Sequence, residues 1–71
     1  MIEVSKDPVI KRTWVVKCEQ RLFKVSHSSF GWHINERVGD QYNRHVFGLL
    51  FDSKQHCLDV IEDNVIGGKS T

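Results

Sequence analysis

Residues 44–66, RHVFGLLFDSKQHCLDVIEDNVI, constrain the fold more than any other stretch, because they carry the only convincing amphipathic helix pattern in the chain. Cys57, Leu58, Ile61 and Val65 recur at helical spacing and make one apolar stripe flanked by Val60, with Asp59, Glu62 and Asp63 on the opposite side. Asp52 supplies a start: its carboxylate can accept from the open N–H groups of the first turn, and Gln55 follows three residues later as in a capping box. Gly67 supplies the stop, where a left-handed residue is wanted. The pattern predicts a helix over 52–66. A helix of about four turns is marginal by itself in water, so the stripe must pack on something. Immediately before it, residues 44–51 read as a largely buried strand. Phe47, Leu49 and Phe51 fall on one side and Val46, Gly48 and Leu50 on the other.

The rest of the chain offers sheet as the partner. Residues 13–18, TWVVKC, alternate Trp14, Val16 and Cys18 with Thr13, Val15 and Lys17. Residues 21–27 place Phe23 and Val25 on one side, and Glu19-Gln20 would join the two strands although the pair is not a favoured two-residue turn. Residues 30–36, FGWHINE, give the cleanest period of two, with Phe30, Trp32 and Ile34 alternating with Gly31, His33 and Asn35. Residues 38–43, VGDQYN, read as a hairpin loop. Residues 1–12 read as a loose arm with a short edge strand at Ile2–Ser5 or at Val9–Lys11, and 67–71 as a polar, fraying tail. The expected fold is α+β: an antiparallel three- to four-stranded β-meander with one C-terminal α-helix packed on one face, β-β-β-β-α, in a single small domain. Trp14, Val16, Phe23, Val25, Trp32, Ile34, Phe47 and Phe51 face the helix. Thr13, Lys17, Lys24, His33, Asn35, Arg37 and His45 then line a second, uncovered face, as antiparallel sheets permit.

At 71 residues the chain can bury only a thin core, roughly 60% of its unfolded surface, which argues against a deep catalytic cleft. No apolar run approaches the 18 or so residues of a membrane span, and the first residues lack the long apolar segment of a secretory signal, so the expected address is cytoplasmic. Cys18 and Cys57 make no disulfide framework and read as reduced, buried thiols. The formal net charge is +1, but it is unevenly spread. Residues 1–45 hold eight Lys and Arg against five acids, and residues 46–71 hold two against four. The sheet is basic and the helix acidic, a polarity able to steer a partner to the sheet side.

Several chemistries are weak here. The terminal GGKST resembles the end of a phosphate-binding loop, but Asp63 stands where the first glycine belongs and no helix follows. Cys18, His27, His33, His45, His56 and Cys57 show none of the close spacings of structural zinc sites. Cys57 belongs to the apolar stripe and reads as a core thiol. His33 and His45, with Tyr42 and Arg44, are the thin lead toward acid–base catalysis, since one hairpin could bring the two imidazoles together. No cofactor, metal or catalytic set is expected.

In outline, residues 30–62 resemble small DNA-binding domains in which a three-stranded sheet enters the major groove with a helix behind it. The plant ethylene-response-factor domain and the arm-binding domains of phage integrases are examples. Gly31-Trp32 at the start of one strand and Phe51-Asp52-Ser53 at the junction into the helix carry the likeness. It is a likeness of architecture, because the dense arginine set of those families is missing. It implies a sheet face turned to nucleic acid, with Lys17, Lys24 and Arg37 on phosphates and His33, Asn35 and His45 on base edges or sugars. The favoured expectation is a non-enzymatic regulatory or accessory module, of the kind phages direct at host enzymes. It would bind a protein partner through Lys17, Lys24, His33, Asn35, Arg37, Tyr42 and His45. DNA or RNA binding by the same face is the alternative. A homodimer through an edge strand fits as well.

Overall fold

Alternating apolar residues become strands in chain order. The computed structural model describes residues 2–67 and contains β1 (Ile2–Lys6), β2 (Thr13–Cys18), β3 (Arg21–Ser28), β4 (Gly31–Val38), β5 (Gln41–His45) and α1 (Lys54–Val65). Gly68–Thr71, and so most of the GGKST tail, lie outside the described residues. The five strands form one antiparallel meander in the order β1-β2-β3-β4-β5. The first of the two places foreseen for an edge strand carries it, so the N-terminal arm is largely sheet, while residues 7–12 form a loop.

The register settles the two faces. Val16 stands opposite Phe23, and Val25 opposite both Trp14 and Ile34. One face therefore gathers Val16, Cys18, Phe23, Val25 and Ile34, all fully buried. The helix closes over them with Cys57 and Ile61, also fully buried, while Leu58, Val60 and Val65 pack at the margin. This is the stripe that the 3.6-residue period marks out. Burying each such side chain contributes about 1.5–3 kcal/mol.

Between strand and helix the chain departs from expectation. Residues 44–51 are not one strand. The last ladder bond runs from Val46 N–H to Ile34 O at 3.3 Å. The backbone then turns through a positive φ at Phe47 (66°) and at Gly48 (143°) and leaves the sheet. It returns at Phe51, which pairs antiparallel with Trp32: Phe51 N–H donates to Trp32 O at 2.9 Å, and Trp32 N–H to Phe51 O at 3.2 Å. A straight strand would alternate Phe47, Leu49 and Phe51 onto the core. The excursion keeps Phe47 and Phe51 there and turns Leu49 and Leu50 outward, 73% and 54% exposed. Gly48 permits it, since a Cβ at that position would lie 3.1 Å from the Phe51 ring and would need a backbone conformation that L residues rarely adopt. Phe30, read as the first residue of a strand over 30–36, lies in the turn before β4 and is 82% exposed.

Phe47 packs beside Phe23, ring centroids 5.9 Å apart, and the Arg21 guanidinium lies over both rings. Arg21 is held there by a two-pronged bond to Glu36, Nε to Oε2 at 2.7 Å and Nη2 to Oε1 at 2.6 Å. The geometry is the bidentate one that makes Arg–carboxylate pairs specific. It raises the Arg21 pKa and lowers that of Glu36.

The helix start also shifts. Ser53, not Asp52, is the N-cap, its Oγ accepting from His56 N–H at 3.1 Å. Gln55 is not part of a box but donates along the helix to Asp59 at 3.0 Å. Pairing of Phe51 with Trp32 leaves Asp52 as a linking residue, whose own N–H donates to His56 Nδ1 at 3.3 Å. Ser53→Ala should therefore cost about 1 kcal/mol and Asp52→Ala under about 0.5 kcal/mol, read as urea-unfolding midpoints. Equal losses would restore the cap to Asp52. Ile61→Ala should cost about 2–5 kcal/mol in the same experiment, against about 0.5 kcal/mol or less for exposed Glu62→Ala.

Candidate functional site

The face away from the helix follows from the same register. Lys24 stands opposite Asn35, and Asn35 opposite His45. Alternation adds Lys17, His33 and Arg37 to that side. Tyr42 joins them because the β4–β5 register slips between Glu36 and Val38: two residues of β5, Tyr42 and Asn43, oppose the single Arg37. The bulge re-aims Tyr42, and the Lys24 Nζ sits 4.5 Å from its ring centroid. All seven residues anticipated from the sequence therefore share one face, uncovered by the helix.

Much of their bonding capacity is used within the chain. Lys24 reaches Asp7 Oδ2 at 3.2 Å. Asp7 is buried, and its Oδ1 accepts from Val9 N–H at 2.8 Å and Ile10 N–H at 2.9 Å. Its own N–H donates to Thr13 O at 2.9 Å, and buried Thr13 donates from Oγ1 to Lys11 O at 3.1 Å. One carboxylate thus folds the 7–12 loop and holds the central lysine of the face. Arg37 donates from Nε to Gly39 O at 2.7 Å, with Asp40 3.5 Å from Nη2. Lys17 is exposed and stands opposite Glu3. A phosphate approaching Lys24 or Arg37 has to compete with these partners.

His33 and His45 are brought together, ring centroids 6.2 Å apart. His33 Nδ1 lies 3.1 Å from Leu49 O, and Nε2 lies 2.7 Å from Ser28 Oγ. A carbonyl only accepts, so in the neutral ring Nδ1 carries the proton and Nε2 accepts from the Ser28 hydroxyl. Ser28 Oγ also accepts from Phe30 N–H at 3.2 Å. The arrangement ties the β3–β4 turn to the 46–50 excursion and engages both imidazole nitrogens. Both thiols are buried, and burial pushes Cys57 up to about 11 and raises Cys18. Among the described residues, no group of three or more His, Cys, Asp or Glu is placed to hold a metal ion, and no helix is long and apolar enough to cross a membrane.

A second surface was not anticipated. In an up-and-down meander the 7–12 loop, the β3–β4 turn and the 46–50 excursion all emerge at one end of the sheet. Val9 (85%), Ile10 (48%), Phe30 (82%), Leu49 (73%) and Leu50 (54%) are exposed there. Gly31 lets Leu50 lie close over the turn, since a Cβ on Gly31 would already meet Leu50 Cδ2 at 3.4 Å. The signal available in the sequence was the glycine on each stretch, Gly31 after Phe30 and Gly48 before Leu49, which interrupts the strand reading.

The Asp7 carboxyl is lowered from 3.8 to about 2, chiefly by the Ile10 and Val9 N–H groups, with Lys24 adding to them. A folded pKa below the unfolded one gives stability that is complete above the unfolded value and lost as pH falls through the folded one. Wild type should therefore lose urea resistance between pH 3.8 and about 2 more steeply than Asp7→Asn. Parallel acid profiles would remove Asp7 from this role. No protein-family model, curated protein or solved structure matches this chain, so its function has to be read from the surfaces just described.

Proposed function

We propose that this chain is a small non-enzymatic accessory module that docks on a protein partner, and that the apolar end of the sheet is its principal contact. The observation that carries the reading is the group Val9, Ile10, Phe30, Leu49 and Leu50, exposed on three separate loops at one end. The core has its own phenylalanines in Phe23 and Phe51, so these five are not needed for packing. Several large apolar side chains exposed at one end of a small domain mark an interaction surface, and exclusion of water from it supplies the driving force. The neighbouring polar face, with Tyr42, Asn35 and His45, supplies a hydrogen-bonding rim.

Two observations favour binding over catalysis. Both thiols are buried and protonated at neutral pH, and each imidazole nitrogen of His33 already has a partner. The alternative, nucleic acid on the uncovered face, draws less support, because Lys24 is paired with Asp7 and Arg37 with its own turn. Self-association, if it accompanies function, would use the outer margin of β1 at the sheet edge.

The test is capture from a nuclease-treated host lysate by the immobilised wild type, by the triple variant Phe30→Ser, Leu49→Ser, Leu50→Ser, and by Lys17→Glu. The three substituted residues are exposed, so folding should be changed by only about 0.5 kcal/mol per site. A stoichiometric protein band should appear with wild type and with Lys17→Glu and vanish with the triple variant. A band that survives the triple variant would remove the apolar end from the interface.

A further inference from the structure

The geometry points to a second binding site, for single-stranded nucleic acid, at the corner where Lys6, Trp14, His27, Trp32 and Lys54 meet. These residues lie on the helix side of the sheet, at the margin of the helix, whose first residue, Lys54, reaches over Trp14. The buried helix contacts are Cys57 and Ile61, farther along the axis, and Trp14 and Trp32 remain only half-buried. Trp14 stands outside the buried core cluster.

The two indoles lie 5.6 Å apart between ring centroids and are tilted by 37°. The exposed His27 ring stacks on Trp32 at 4.6 Å and 18°. A flat heteroaromatic ring thus already occupies the indole face in the manner of a nucleobase, and an incoming base can extend or replace that stack. Two ammonium groups from different elements flank Trp14: Lys6 Nζ from β1 at 5.4 Å and Lys54 Nζ from the helix start at 4.7 Å. Lys11 and Arg12 follow on the adjoining loop, which is fixed to the corner by the bond from His27 N–H to Arg12 O at 3.0 Å. Of the nearby carboxylates, Asp7 is paired with Lys24, and that of Asp52 is exposed to solvent. The corner therefore combines stacking faces with a surplus of cations.

That combination is complementary to single strands rather than duplexes. Bases in a duplex are stacked on one another and present no free face, whereas an unpaired base can lie on an aromatic side chain while its phosphates meet lysines. Sequence preference is expected to be slight, because every base has a π-face. The site lies at the same end of the sheet as the protein-docking patch and shares the 7–12 loop with it, but its contacts come from residues other than Val9, Ile10, Phe30, Leu49 and Leu50, so either reading can fail without the other.

The chain has only two tryptophans, and both are in this corner, so their emission reports on the site directly. The experiment titrates the full chain with fluorescently labelled fifteen-residue oligo-dT and oligo-U, following tryptophan emission and oligonucleotide anisotropy together, at low and rising salt. Saturable quenching that coincides with the anisotropy change is expected, several-fold weaker for a duplex of the same length. The dT and U arms decide between DNA and RNA. The double variant Lys6→Glu, Lys54→Glu should bind at least about tenfold more weakly, and Lys6→Gln, Lys54→Gln should lower the salt slope by about 1.4, two phosphates at about 0.7 each. Lys17→Glu, on the opposite face, should behave as wild type. Far-UV circular dichroism checks that the variants fold, and the wild-type titration decides even if one does not. Absence of binding at low salt, binding without a change in emission, or equal affinity for duplex would each overturn the proposal.

Discussion

A single antiparallel pair, Phe51 with Trp32, decides how this molecule is put together. Its two hydrogen bonds return the chain to the edge of β4 after the excursion from the sheet. They set where the helix begins and which way it runs, and so which face of the sheet is covered. A twelve-residue helix cannot hold itself in water, so it forms where Phe51 delivers it, against a face that already presents Val16, Phe23, Val25 and Ile34. Ser53 caps it there, and Cys57 and Ile61 enter the core one and two turns later. The other face is left open as a consequence.

The helix stripe and the strands read at 13–18, 21–27 and 30–36 were legible in the sequence to within two residues, because each buries one side against the other. The period of the side chains therefore records the burial directly. Residues 46–51 were not legible for the converse reason. Val46 to Phe51 is a continuous apolar run, and such a run has no period from which a departure could be read. The cap was misplaced by one residue because Asp52 and Ser53 are both good caps, and the choice is made by the pairing of Phe51 with Trp32, a tertiary contact. Lys17, Lys24, His33, Asn35, Arg37 and His45 lie on the face on which alternation put them, whereas Thr13, read with them, is buried, and Tyr42 was read as part of a hairpin loop. Alternation alone would not have placed Tyr42 there without the bulge in β5. What alternation could not reveal is that Asp7, from a loop, would reach into that face and engage Lys24.

The surfaces divide by what the fold has left over. On the uncovered face, polar groups largely satisfy one another through Lys24 with Asp7, Arg37 with Gly39 and Asp40, and His33 with Ser28 and Leu49. Among the described residues no buried side-chain nitrogen or oxygen lacks a hydrogen-bond partner. At the loop end the reverse holds: apolar side chains stand largely exposed to water. At the tryptophan corner, cations and rings contact one another but remain accessible. Groups whose interactions are already complete have least to gain from a ligand, and this ordering distinguishes the three surfaces better than net charge does.

The excursion after His45 also alters the sheet's outer margin. A long, regular outermost strand offers a row of open N–H and C=O groups on which further chains can stack, the first step toward fibrils. β5 offers five residues, is bulged between Tyr42 and Asn43, and ends where Phe47 and Gly48 turn the backbone out of line. The same irregularity that carries Leu49 and Leu50 outward thus shortens the template beside them. A protein that displays this much apolar surface stays a poor seed for cross-β growth on that side.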